Sequence, residues 1–226
     1  MNLRVINGNI FTTDCQVIVN TINCVGVMGA GIALECRLRY PDMYKKYILL
    51  CKNNNIDIGL LWIYKSTDKW VLNFPTKRDW KHPSKKEYLH QGLSKFVKTY
   101  AEKGIESIAF PLLGADKGGI QQEESLEIMK SYLEDLSIKV EIYRYDPKSK
   151  DDLYEKTKLW LFSNDLDFIS SSTKLRKDYV VKVINAMQSN DITQLNQLAR
   201  IDGIGLKTLE KIFVASTCSP NQRELF

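Results

Sequence analysis

The residues that could do chemistry fall in three short stretches: NFPTKRDW at 73–80, VNTINCVGVMGAGIA at 19–33 and PLLGADKGGI at 111–120. In the first, Lys77 lies two residues beyond a proline, with Arg78 and Lys81 close behind. A lysine that is desolvated or crowded by other cations gives up its proton more readily and becomes a nucleophile or base near neutral pH. The competing reading is a solvated basic loop. In the other two stretches, Gly26, Gly29 and Gly31, then Gly114, Gly118 and Gly119, follow apolar runs. Glycines let backbone N–H groups close on an anion at a helix start. The spacing fits neither GxGxxG nor GxxxxGK[ST]. Asn20 and Asn23 suit a polar ligand, and two such loops suit a diphosphate gripped from both sides, against the alternative of a pair of tight turns. With His82 and His90 the only histidines, Ser-His-Asp triads and His-based metal sites are hard to assemble. The five cysteines (Cys15, Cys24, Cys36, Cys51, Cys218) form no CxxC pair and read as buried thiols, so no metal is expected.

The elements that must position these groups alternate between strand and helix periods up to about residue 147, which predicts an α/β domain. Strands are expected at 3–6, 16–20, 60–64, 70–73, 107–111 and 139–145, the fourth stopping where Pro75 ends its pairing. Helical stripes run through Tyr44, Tyr47, Ile48 and Cys51, through Leu89, Leu93, Phe96, Val97 and Tyr100, and through Leu126, Met129, Leu133 and Leu136. Residues 148–226 have helix period without a convincing strand and predict an all-helical appendage, punctuated by Ser170–Ser172 and Asn190-Asp191. The chain has 226 residues with 44% hydrophobic and 26% charged residues, ordinary for a folded protein. No apolar run is long enough to span a membrane, and the N-terminus lacks a secretory pattern, so a cytoplasmic location is expected. Residues 1–150 hold 22 basic and 17 acidic residues, and the remainder holds 10 of each, so the whole +5 surplus lies in the first part. Residues 76–98 carry seven of those cations against two acids.

Taken together and in this order, GNIFTTDCQVIVNTINCVGVMGAGIA, NFPTKRDW and PLLGADKGGI resemble the ADP-ribose-binding macrodomain family, and within it the DarG-like branch that removes ADP-ribose from thymidine in DNA. The resemblance spans roughly residues 1–147 and implies a three-layer α/β macrodomain with a central mixed sheet, ADP-ribose as ligand or product, and no further cofactor. It implies that Asn9 and Ile10 lie beside the adenine, with Asn9 where many relatives have Asp. It places Asn20 and Asn23 as supports for the loop and the distal ribose, and Gly29, Ala30 and Gly31 as the first diphosphate loop. Gly114, Ala115, Lys117, Gly118 and Gly119 make the second, with Thr76 at the ligand and Lys77 as the catalytic lysine. The second loop departs from the family's usual GCG or GTG, and the aspartate that related human enzymes carry further along it is replaced by Gly118 or Gly119. Asp116 either substitutes for that aspartate from a neighbouring position or caps the loop.

The appendage ends in LNQLARIDGIGLKTLEKIF, which resembles a helix-hairpin-helix motif. Its turn, Gly203-Ile204-Gly205, would offer backbone N–H groups to a DNA phosphate, with Lys207 adding charge. A purely structural helical hairpin is the alternative. The expected activity is glycohydrolysis of ADP-ribosylated, thymidine-linked DNA by an antitoxin-like enzyme, with an ADP-ribosyltransferase toxin as a possible partner. The alternatives are a non-catalytic ADP-ribose reader, or an enzyme acting on ADP-ribosylated protein or free ADP-ribose derivatives. The basic strip, with Lys81, Lys85 and Lys86, is expected to flank the ligand cleft and steer a DNA backbone toward it.

Overall fold

The computed structural model describes residues 2–189 and 191–217, so Asn190 and Cys218 lie outside the described residues. Two compact units divide between Asp146 and Pro147. The first holds a six-stranded sheet built from β1 (Leu3–Gly8), β2 (Val17–Asn23), β3 (Trp62–Lys65), β4 (Trp70–Lys77), β5 (Ser107–Pro111) and β6 (Lys139–Tyr145), in the order β1-β6-β5-β2-β4-β3. Every pairing is parallel except β3 with β4. Helices α1 (Gly31–Arg39), α2 (Pro41–Lys52), α3 (Lys86–Thr99) and α4 (Gln122–Leu133) complete the unit.

The sheet is covered on both faces, which is why β2 opens on the apolar Val17, Ile18 and Val19 and β5 is apolar over 108–111. On one face Val17, Val19, Phe74, Phe110 and Ile142 pack against Leu89, Leu93 and Phe96 of α3 and Leu126, Met129 and Leu133 of α4. On the other, Ile22 and Val71 pack against Cys36 of α1 and Met43 and Tyr47 of α2. The result is the expected three-layer α/β arrangement. Gly92 of α3 lies directly on the Phe74 ring, so close that a Cβ there would collide with it. That contact fixes α3 against the outgoing half of β4.

Two strands run further than the sequence suggests. β2 continues past Asn20 to Asn23, and β4 continues through Pro75 to Lys77. Pro75 stays in register opposite Ile22, because β3 pairs with β4 only as far as Asn73. Beyond that point β4 is an edge on the β3 side, where a missing N–H is tolerated.

The second unit is helical: α5 (Asp152–Ser163), α6 (Leu166–Thr173), α7 (Lys177–Gln188), the single turn α8 (Leu195–Leu198) and α9 (Leu206–Thr217). Tyr154, Leu161, Ile169, Val183, Leu195, Leu209 and Ile212 are buried in it. Asp151 organises its start: Oδ1 accepts from the N–H groups of Leu153 and Tyr154, and Oδ2 accepts from Leu195 N–H at 2.9 Å. Ser170–Ser172 do not interrupt the helices as the sequence suggests but lie inside α6. Ser171 Oγ donates back to the Phe168 carbonyl, and Ser170 Oγ donates to the Leu175 carbonyl beyond the helix end. No helix among the described residues is long and apolar enough to cross a membrane.

Candidate active site

Because five of the six strands are parallel, β1, β2, β4, β5 and β6 all deliver their carboxyl ends to one edge of the sheet. There Gly8 to Phe11, Thr21 to Asn23, Thr76 and Lys77, Pro111 and Leu112, and Tyr143 and Tyr145 line a cleft of about 480 Å³. Its centre lies where β2 and β5 are neighbours although the chain leaves them in opposite directions, the crevice in which open α/β sheets receive ligands.

The loop after β2 is held by Asn23. Its Oδ1 accepts from Val25 and Val27 N–H and from the Tyr47 hydroxyl, while its Nδ2 donates to the Val27 carbonyl at 2.6 Å. Cys24 N–H donates to the Arg78 carbonyl, tying this loop to the end of β4. The loop leads into α1, whose N-cap, Ala30, makes no side-chain cap bond and whose first turn holds no acid. Ala30, Ile32 and Ala33 line the cleft, so the positive end of the α1 dipole opens into it, an arrangement suited to an anion.

The loop after β5 forms the facing wall. Gly118 N–H donates to the Ala115 carbonyl and Ile120 N–H to the Gly114 carbonyl, closing a compact turn. Ser84, from the segment between β4 and α3, anchors it by donating its N–H to the Gly118 carbonyl at 2.8 Å. A Cβ at Gly118 would come within 2.6 Å of Ser84 Oγ, and one at Gly114 would meet Ile120 at 2.8 Å. These glycines are required by close approach, and Gly114 also by its φ of +66°. Ser84 itself is 8% exposed, and its hydroxyl has no hydrogen-bond partner. It borders the cleft with its hydroxyl buried against the Gly118 loop.

Lys77 bridges the two sides. It is the last residue of β4, and its Nζ donates to the Lys117 carbonyl of the second loop at 2.5 Å. Burial, and secondarily the Lys117 charge, lower its pKa from the ordinary lysine value, which favours the neutral amine. The Cys24 thiol, which donates to the Lys77 carbonyl at 3.4 Å, is disfavoured as a nucleophile, because burial pushes it up to about 11. Asp116 is exposed at the cleft wall with φ +44°, a left-handed conformation that Asp tolerates better than most residues. An amine of lowered pKa, an uncapped helix start and two glycine loops around one cleft suit the binding of a phosphorylated ligand beside a nucleophile or base.

The Macro domain model matches residues 19–129. The solved macrodomain of Mycobacterium tuberculosis DarG is 36% identical, covers 62% of this chain and 96% of its own, and superposes with a TM-score of 0.60. The chain belongs to the macrodomain family. Among curated relatives of this macrodomain protein, a DNA ADP-ribosyl glycohydrolase of Thermus aquaticus is 38% identical over 149 residues, 64% of this chain and 41% of that one. A DNA ADP-ribosyl transferase-DNA ADP-ribosyl glycohydrolase fusion protein of Thermosipho africanus is 32% identical over 161 residues, 63% of this chain and 42% of that one. The chain thus spans about two fifths of the length of these curated relatives.

Within the macrodomain, the cleft gathers Asn9, Ile10, Asn23, Gly29, Ala30, Thr76, Lys77, Gly114, Ala115, Asp116, Lys117 and Gly118. Gly31 and Gly119 shape the adjoining backbone through φ values of +54° and +83° but do not line the cleft. Asn9 Oδ1 caps a short turn at 10–12 by accepting from Phe11 N–H at 3.0 Å. Asn20 does not reach the cleft. It is fully buried, and its Nδ2 donates to Asn73 Oδ1 on the neighbouring strand at 2.9 Å, so it joins strands instead of touching a ligand. Lys81, Lys85 and Lys86 are exposed but do not line the cleft, and Lys86 pairs with Glu124. In the helical unit, Gly203 takes φ +77° in the turn before α9, with the Lys182 ammonium against it, while Gly205 and Lys207 are exposed. The cleft also contains Phe11, Glu35, Trp80, Ser84, Tyr143 and Tyr145, which sequence reasoning did not single out as site residues. Trp80 was legible as part of the lysine stretch, whereas nothing local marks Ser84. Asp14, Cys15 and Glu141, a possible metal cluster among the described residues, are threaded by the Lys139 ammonium, which pairs with both carboxylates.

Proposed function

We propose that this macrodomain protein removes ADP-ribose from ADP-ribosylated DNA by cleaving the bond between the anomeric carbon of the distal ribose and the base, with thymidine as the modified nucleoside. The observation that carries this reading is Lys77, held at the end of β4 with its amine across the cleft at Lys117 and its pKa lowered. The names of the relatives support the same chemistry.

In this reading the α1 N-terminus and the two glycine loops hold the diphosphate. Asn23 keeps the first loop in shape, so the distal ribose is presented with little freedom to lose. Departure of the base leaves oxocarbenium character on the anomeric carbon. The neutral Lys77 amine attacks that carbon as its bond to the base breaks, and the base takes the bonding electrons and the proton that the amine loses; water then adds at the carbon, the bond to Lys77 breaks, and ADP-ribose leaves with the hydroxyl of the water while Lys77 recovers its proton. Asp116 assists a proton transfer. The exposed Lys81 and Lys85 attract the DNA backbone, and the Gly203–Gly205 turn of the helical unit contacts a phosphate. An ADP-ribosyltransferase acting on the same DNA is the proposed partner.

One observation favours a second reading. Lys77 already donates to a backbone carbonyl, a role that would serve a non-catalytic ADP-ribose reader equally well. Incubation with matched ADP-ribosylated oligonucleotide and ADP-ribosylated protein, scoring released ADP-ribose, separates the readings. Release from DNA in preference to protein is expected. Tight binding without release from either would establish the reader.

A further inference from the structure

The cleft has a direction. Tyr145 and the Gly8–Ile10 segment lie at the β1/β6 end, Lys77 and Trp80 at the β4 end, and the two glycine loops between them. Four inter-strand steps separate β1 from β4, roughly 19 Å at the usual strand spacing. That is room for an adenosine at one end, a diphosphate over the loops, and the second ribose beside Lys77. Whatever the second ribose is attached to must then leave past Trp80.

Trp80 is 52% exposed, although indole surface in water is unfavourable. It is nevertheless held on a pinned turn. Asp79 Oδ1 accepts from Lys81 N–H at 2.9 Å, and the Asp79 carbonyl accepts from His82 N–H. Next to it, Arg78 pairs with Asp57 at 2.8 Å and accepts through its carbonyl from Cys24 N–H. Lys81 Nζ lies over the indole, 5.6 Å from its centroid. A preorganised indole with a cation close to it is the pairing that receives an unstacked base and its phosphate.

We propose that Trp80 stacks on the nucleobase carrying the ADP-ribose, so that the substrate is a base splayed out of unpaired DNA. This rests on the glycohydrolase reading and deepens it. A base inside a duplex would have to be extruded before it could reach the ring, which favours single-stranded substrate.

The test uses the full chain and an ADP-ribosylated single-stranded oligonucleotide. Trp80→Ala is expected to lower kcat/KM by about 5- to 150-fold, the range that base stacking supports, and Trp80→Phe to retain most activity. Affinity for free ADP-ribose stays unchanged in both. Unchanged hydrolysis, an equal loss of ADP-ribose affinity, or Trp80→Phe as impaired as Trp80→Ala would overturn the proposal. If Trp80→Ala does not fold, Trp80→Leu against Trp80→Phe makes the same comparison. Binding of the intact adduct in a Lys77→Ala background tests stacking without turnover: additional loss on Trp80→Ala supports it, and none refutes it. A wild-type chain that binds the adduct but releases nothing sinks only the glycohydrolase reading.

Discussion

Ser84→Ala is expected to make the protein more stable and to leave ADP-ribose binding nearly unchanged. The Ser84 hydroxyl is buried without a partner, and such a group costs about 1–3 kcal/mol relative to one that is hydrogen-bonded. Removing it recovers much of that cost. The void left by a single oxygen subtracts only a few tenths of a kcal/mol, at roughly 24 cal/mol per Å³ of cavity. The net gain is about 1 kcal/mol, equivalent to a rise in Tm of about 2–4 °C for a chain of this size. Binding should hardly move. The hydroxyl oxygen is closed to a ligand, so ADP-ribose affinity should stay within about 2-fold. Ser84 N–H, which anchors the second loop, is untouched by the change, so the loop keeps its shape. Differential scanning calorimetry of the free protein and titration calorimetry with ADP-ribose read the two effects separately. A lower Tm, or a loss of affinity of about 10-fold or more, would refute the reasoning, because the hydroxyl would then be bonded within the fold or reaching the ligand.

Gly118→Ala forces a Cβ to within 2.6 Å of Ser84 Oγ, so ADP-ribose affinity should fall; the Ser84→Ala/Gly118→Ala pair should recover part of the loss attributable to the collision, a coupling that a double-mutant cycle measures. Lys117→Gln removes the charge that helps hold Lys77 below its ordinary pKa, so that pKa rises and the alkaline-favoured limb of the pH–rate profile moves to higher pH. Burial, the larger cause, persists, and the shift is partial; a shift to lower pH would contradict this electrostatic role. Lys81→Ala/Lys85→Ala should weaken ADP-ribosylated DNA and not free ADP-ribose, and should reduce the salt slope by about 1.4 if each lysine meets one phosphate of a single strand. Lys86→Ala should do less, since Lys86 already pairs with Glu124.

The central strands and the stripes of α2, α3 and α4 were legible because a sheet buried on both faces needs apolar runs, and helices packed on it need a repeating apolar stripe. The glycine loops and Lys77 were legible because close backbone approach and strand-end placement leave local marks. Asn20 was misplaced because its partner, Asn73, is remote in sequence and becomes adjacent only in the β2–β4 register. Pro75 misled for a related reason: whether a proline ends pairing depends on how far the neighbouring strand reaches, and β3 stops short. Ser84 carried no local signal, its importance arising from Gly118 on another loop. The three serines at 170–172 read as a break, yet a serine in a helix can return its hydroxyl to a nearby carbonyl, as Ser171 does.

The most direct test of the account is Lys77→Ala on an ADP-ribosylated single-stranded oligonucleotide, with ADP-ribose affinity measured on the same preparation. The wild-type chain should release ADP-ribose, and the variant should be slower by at least about 100-fold while still binding ADP-ribose. Undiminished release by a variant that binds normally would contradict the lysine mechanism.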